Sequence, residues 1–258
     1  NAAQRENTRQ TGVLMAGLLA AIQNDSVFAT PSSGLERFES WAGDVTPEAV
    51  LEVFRKWMTV KAPLFFMQTS LERPGVEKEI VAAWEESTKV EVTAPMAKSA
   101  VKFAYTNFGR PGKVVQDTRL ADIDTRLITF ANNVRLNLKT TSFQKNSVQI
   151  SLRVGEGSLD FPEKPFGLSS LMSAFSNGGL EKHSADDLRL ILSGRQVSTR
   201  FGGGGSSFGS TYATTPADLE LQLQLAAAFV THPGYRSEAE RRWRQGITGD
   251  VPGDGAAA

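Results

Sequence analysis

The chain offers only two histidines, His183 and His232, and no cysteine. There is therefore no thiol nucleophile, no disulfide and no thiolate metal site. Two imidazoles would leave zinc to be held mostly by carboxylates, an unusual donor set. His183 stands just before a helix cap at Ser184. His232 ends an apolar helical stretch before Pro233 and Gly234, where a cation would meet the negative end of the helix dipole. The glycines at 202–205 have the composition of a phosphate cradle, but a cradle must open a helix. Strand-like stretches flank them and no Lys-Ser/Thr follows, so a hairpin turn is the reading. Asp117, Asp122 and Asp124 lie close together without the glycine and terminal glutamate of a calcium loop. Arg241, Arg242 and Arg244 share a helix with Glu238 and Glu240, as a solvated ion-paired face does. No catalytic, cofactor-binding or metal-ligating residue is assigned from these positions.

The elements that would position any chemistry follow from periodicity. Thr46 caps and Pro47 opens a helix with Val50, Val53, Phe54 and Trp57 on one face. Pro63 to Thr69 is an unbroken apolar run of strand length, read as a buried strand. Val76, Ile80, Ala83 and Trp84 mark another helix. From about residue 95 to 130 the pattern weakens around a GRPG turn, with KVVQDTRL as edge-strand material. Val134, Leu136 and Leu138 alternate with polar residues, as do Val148, Ile150, Leu152 and Val154, giving two half-buried strands. GLSSLMSAF at 167–175 reads as a short helix. Ser184 and Asp187 form a capping box, and Gly194 stops that helix. Val197, Thr199 and Phe201 give a strand, the glycines turn it, and Phe208, Ser210 and Tyr212 return. Thr215 and Pro216 open a helix with Leu219, Leu223, Ala226 and Val230 on one face, widened by Leu221, Leu225 and Phe229. A charged helix closes the pattern at about 237–247. The expected class is α+β, with helices on one face of a mixed, largely antiparallel sheet.

Composition bounds the rest. Hydrophobic residues make up 40% of the 258, which excludes disorder and supplies a core. The 28 basic residues balance the 28 acidic ones, which argues against a nucleic-acid partner. The run Val13 to Ile22 is too short to span a bilayer. A buried helix is the preferred reading over a secretory leader, although Arg5 and Arg9 precede it and Val27-Phe28-Ala29 resembles a cleavage site. The chain starts at Asn1 and ends in Gly255 and three alanines, as an excised piece of something longer would.

The order SVQISLRVG, loop, then PFGLSSLMSAFSNGG resembles the opening of a pitrilysin/insulinase-type zinc peptidase domain. In that family a strand ending in Val-Gly leads to Gly-Leu and a helix carrying HxxEH, the inverted zincin motif. With Gly167-Leu168 set on the family's Gly-Leu, the histidine, glutamate and histidine positions fall on Ser170, Ser173 and Ala174. The family's third ligand, a later glutamate, finds no match in Gln245 to Gly249. NNVRLNLKTTSF resembles the opening strand of such domains, and ADLELQLQLAAAFVTHPGYRSEAERRWRQGI their helix pair.

The resemblance implies residues 1–94 as the C-terminal part of one pitrilysin-type domain and 95–130 as a bridge. Residues 131–258 would be an inactive domain, truncated at its end. It implies no zinc in this segment and zinc in an HxxEH domain of the parent, a metalloendopeptidase. That domain, in the same polypeptide or a partner chain, and an unfolded peptide substrate are the expected partners, in a periplasmic or secreted setting without a membrane span. The segment would form chamber wall and peptide-binding surface. A structural subunit resembling the core proteins of respiratory complexes is the alternative, and an unrelated secreted binding domain with a leader over 1–29 is a third.

Overall fold

Glycines 12 and 17 do not break the apolar run after Gln10, which forms helix α1 (Thr11–Gln23) in the computed structural model. The structure describes residues 2–58, 63–69, 72–91, 101–160 and 177–250, with the backbone alone at 246–250. It divides into two units, Ala29–Lys98 and the combination of Asn1–Phe28 with Ser99–Ala258.

In the Ala29–Lys98 unit, threonine hydroxyls cap helices that proline opens. Thr30 Oγ1 accepts from Ser33 N at 3.2 Å to start α2 (Pro31–Ala42). Thr46 Oγ1 accepts from Ala49 N at 3.1 Å to start α3 (Pro47–Met58). Proline at the first helical position loses no bond, because that amide has no partner inside the helix. Helix α4 (Val76–Ser87) follows Gly75. The expected helices are present, but their apolar faces are open, with Trp57 74% exposed. Pro63 to Thr69 is not a strand: Leu64 is 100% and Phe66 91% exposed. Strand propensity needs a neighbouring ladder, and among the described residues none runs alongside; only Phe65 finds a ring contact, edge-on to Trp84 at 5.4 Å.

The second unit begins with a short 3₁₀ turn (Ala3–Thr8) tied to the loop at 139–147: Arg5 Nη2 donates to Asn146 O at 2.9 Å. Helix α1 is mostly exposed rather than buried, since only Ala21 is covered among the described residues. Two antiparallel sheets follow. The first is β1 (Val114–Leu120), β2 (Thr125–Phe130) and β3 (Arg135–Leu138) in that order, so KVVQDTRL does supply an edge strand. Leu136 and Leu138 are exposed, not half-buried, because nothing described lies over that strand.

The second sheet is β4 (Val148–Val154), β5 (Gly202–Gly203) and β6 (Phe208–Thr214), ordered β4-β6-β5. Strand β4 alternates partly buried Val148, Ile150 and Leu152 with exposed Gln149, Ser151 and Arg153, as its sequence requires. Gly209 has φ +142° where β6 crosses Leu152; a Cβ there would lie 2.0 Å from the Leu152 carbonyl oxygen, so only glycine fits. The strand expected at 196–201 is absent. Pairing survives only at Gly202 and Gly203, because the preceding backbone is satisfied by side chains of a helix instead.

Helix α5 (Ala185–Ile191) starts with the expected capping box, Ser184 with Asp187. Helices α6 (Leu219–Thr231) and α7 (Ser237–Asp250) complete the unit. The core is built from Leu225, Ala228 and Phe229 of α6 against Tyr105, Leu180 and Leu188. The buried face of α6 therefore centres on Gln222, Leu225 and Phe229; Leu223, expected inside, is 50% exposed.

Candidate functional site

Ser170, Ser173 and Ala174, the positions that the resemblance sets on the zinc motif, lie outside the described residues, as does the whole stretch 167–175 expected to be a helix. Serine hydroxyls and an alanine methyl are not the imidazole and carboxylate donors that zinc takes in such a motif. This donor set does not fit the metal. Among the described residues no group of three or more His, Cys, Asp or Glu could hold a metal ion.

The structure instead brings the two histidines to one aromatic cluster around Tyr105. His183 lies in a tight loop in which Leu180 N donates to His183 O at 2.8 Å and His183 N to Leu180 O at 3.1 Å. Gly179 makes this loop possible, since at φ +68° a Cβ would lie 2.5 Å from His183 O. The His183 ring is 2% exposed and stacks on Phe103 at 5.8 Å, while Tyr105 meets it edge-on. Its Nε2 accepts from Ala104 N at 2.9 Å. Burial pushes the imidazole below its ordinary pKa; Asp187 pulls the other way, and Lys182 and Arg236 add to the depression. Lys182 N donates to Tyr105 Oη at 2.8 Å. His232 lies 5.0 Å from the Tyr105 ring, and its Nδ1 meets Thr231 Oγ1 at 2.7 Å. Phe103 and Tyr105 were not singled out from the sequence; two aromatics at i, i+2 in a weakly patterned stretch were the available signal.

A second polar group sits at the N-cap and first turn of α6. Asp218 accepts from Gln196 N at 2.9 Å and from Arg195 Nη1 at 3.3 Å, and the first of these bonds holds its carboxyl below the usual range against the cost of burial. Gln222, fully buried, bonds both backbone groups of Ser198. Beside this segment lies a cavity of about 440 Å³ lined by Asn177, Leu188, Leu192, Val197 and Thr199 among others. These α6 side chains organise backbone and present no reacting group.

The other flagged residues are dispersed. Glycines 202–205 form the hairpin, and Gly204 and Gly205 carbonyls accept from Ser158 and Leu159 amides. Asp117 pairs with Arg126 and Asp124 with Arg119, so both carboxylates are engaged by guanidinium groups on the first sheet. The Arg126 hydrogen bond lowers the Asp117 pKa. Arg244 pairs with Glu240 at 2.7 Å, one turn away on α7.

No family model matches the sequence, and no curated protein matches it. Among solved structures, the periplasmic protease PqqL from Escherichia coli superposes with TM-score 0.53 at 16% identity, covering 92% of this chain and 27% of that one. The ferredoxin protease FusC, solved with Arabidopsis ferredoxin, gives TM-score 0.48 at 13% identity over 95% of this chain and 29% of its own. The chain thus spans less than a third of each of these proteins. No helix among the described residues is long and apolar enough to cross a membrane. The chain is an α+β protein with the pitrilysin-like peptidase fold.

Proposed function

We propose that the chain is a non-catalytic portion of a pitrilysin-type zinc metallopeptidase, forming chamber wall and peptide-binding surface for a reaction carried out elsewhere in the parent. One observation carries this reading: the fold likeness covers 92% of this chain but only 27% of a protease chain. Ser170, Ser173 and Ala174 at the motif positions support it, because they remove the donors and the base that the zinc chemistry of such a motif requires. The open apolar stripe of α3, with Phe54 and Trp57 exposed, supports it too, since surfaces of that kind are normally covered by further protein.

On this reading residues 1–94 end one domain, 95–130 bridge, and 131–258 form an inactive domain. The partners are an HxxEH domain, which holds the zinc, and an unfolded peptide; the setting is the periplasm or outside the cell. Peptide contact would use backbone hydrogen bonding along an open strand edge, which tolerates many sequences.

The test is a titration of the chain with a labelled unstructured peptide, with and without added zinc, together with metal analysis after dialysis. Saturable peptide binding with no cleavage and no stoichiometric zinc is the expected result. Cleavage on adding zinc, or one tightly held zinc per chain, overturns the non-catalytic assignment. Absence of any peptide binding overturns the peptide surface and favours the core-protein-like alternative.

A further inference from the structure

The cluster around Tyr105 holds a buried imidazole for which the proposed function has no use. Two hydrogen bonds join residues 104–105, in the stretch by which the chain re-enters its larger unit, to the loop at 180–183. Ala104 N donates to His183 Nε2 at 2.9 Å, and Lys182 N donates to Tyr105 Oη at 2.8 Å. Accepting at Nε2 fixes the neutral tautomer, with the proton on Nδ1. That Nδ1 is buried and has no partner among the described residues.

We propose that His183 is a proton-sensitive latch: a proton taken from water at Nε2 turns the acceptor of the Ala104 amide into a second donor and loosens Phe103 to Tyr105 on the 180–183 loop. Two N–H groups cannot share a 2.9 Å contact, so protonation and loss of the Ala104 bond are one event, which leaves the stretch held to the loop, among the described residues, by the Lys182 bond to Tyr105 alone. The surroundings set the balance. From α5 Asp187 favours the cation, but its carboxylate already accepts from Ser184 N and Oγ. Lys182 on the loop opposes it, with its ammonium 5.8 Å over the Tyr105 ring. Arg236, leading into α7, opposes it as well and is fixed by bonds from Nη2 to Leu180 O and Glu181 O. Tyr105 and, at the end of α6, His232 complete the ring of titratable neighbours. Of the three charges acting on the ring, one favours the latch opening and two oppose it. The depressed imidazole pKa places the opening below the ordinary value of about 6.5.

The test is amide hydrogen exchange and imidazole NMR on the full chain between about pH 7.5 and about pH 4.5, a range that brackets a lowered imidazole titration. With only two histidines, each ring can be followed separately. The Ala104 and Lys182 amides are expected to lose protection, corrected for intrinsic exchange, by up to about tenfold per pH unit below the His183 midpoint. Leu225, in the core, keeps its protection over the same range. His183→Gln supplies a non-titrating acceptor and should flatten the Ala104 response, whereas His232→Gln should leave it intact. Constant Ala104 protection while His183 titrates overturns the latch, as does a wild-type response in His183→Gln. Simultaneous loss at Leu225 also overturns it, because it means global unfolding. If His183→Gln does not fold, coincidence of the His183 and Ala104 midpoints in the unmodified chain decides the matter.

Discussion

The Gln222 carboxamide pairs with the backbone of Ser198 as a neighbouring strand would: Oε1 accepts from Ser198 N at 2.7 Å, and Nε2 donates to Ser198 O at 3.1 Å. One turn earlier, at the N-cap of α6, Asp218 accepts from Gln196 N. A helix thus holds the approach to the glycine hairpin extended without any ladder of its own.

Because Gln222 is fully buried, replacing it by an apolar residue leaves both Ser198 N and Ser198 O without these partners. Gln222→Leu, close in volume, is expected to lower stability by about 1–3 kcal/mol, the cost of unsatisfied buried hydrogen-bonding groups. Gln224, two residues on, bonds Glu220 at the surface, and Gln224→Leu should stay within about 0.5 kcal/mol of the parent. Chemical denaturation of the two variants side by side checks this. Equal effects would mean that the Ser198 pairing contributes nothing.

How much of this was legible follows from the sequence distance over which each feature is decided. The Ser184 capping box, the Thr46-Pro47 helix start, the alternation of β4 and the turn at the glycines depend on neighbours a few residues apart, and the sequence shows them. The strand reading of 196–201 failed because its backbone partners are side chains of α6, Asp218 and Gln222, which no local pattern announces. Pro63 to Thr69 has strand composition without a paired neighbour. The meeting of His183 with Ala104 and Tyr105 spans nearly eighty positions, so the cluster could not be assembled from spacing. The zinc-motif positions were readable only through resemblance to a family.

The two faces of α6 give a second test of what the packing decides. Leu223 and Leu225 are the same residue type on one helix, yet Leu225 is fully buried against the core and Leu223 lies half open. Leu225→Ala should cost roughly 2–5 kcal/mol, the transfer and cavity cost of a buried leucine, and Leu223→Ala less than about 1 kcal/mol. Thermal and urea unfolding monitored by circular dichroism separates them. A reversed order would place the core on the stripe of Leu219, Leu223 and Val230.

Acid stability should depend on Asp218. Its carboxylate is nearly buried and accepts hydrogen bonds from Gln196 N, Arg195 and Thr215 Oγ1. The Gln196 bond is the largest cause of its lowered pKa, outweighing desolvation. A carboxyl whose pKa is lower in the folded state binds protons less readily there than in the unfolded chain. Its stabilisation is therefore present in full above the unfolded value of about 3.9 and is lost as pH falls through the folded value. Asp218→Asn keeps the shape but cannot titrate, and its amide nitrogen cannot accept from Gln196 N. The variant should be less stable than the parent at neutral pH, and the difference should narrow as pH falls below about 4, where the carboxyl of the unfolded parent takes up its proton before that of the folded one. Unfolding free energies measured from neutral pH down to about 3, the range spanning an ordinary carboxyl titration, check the sign. A gap that widens on acidification would mean that the folded state holds Asp218 protonated, and that the Gln196 bond is not what keeps it ionised.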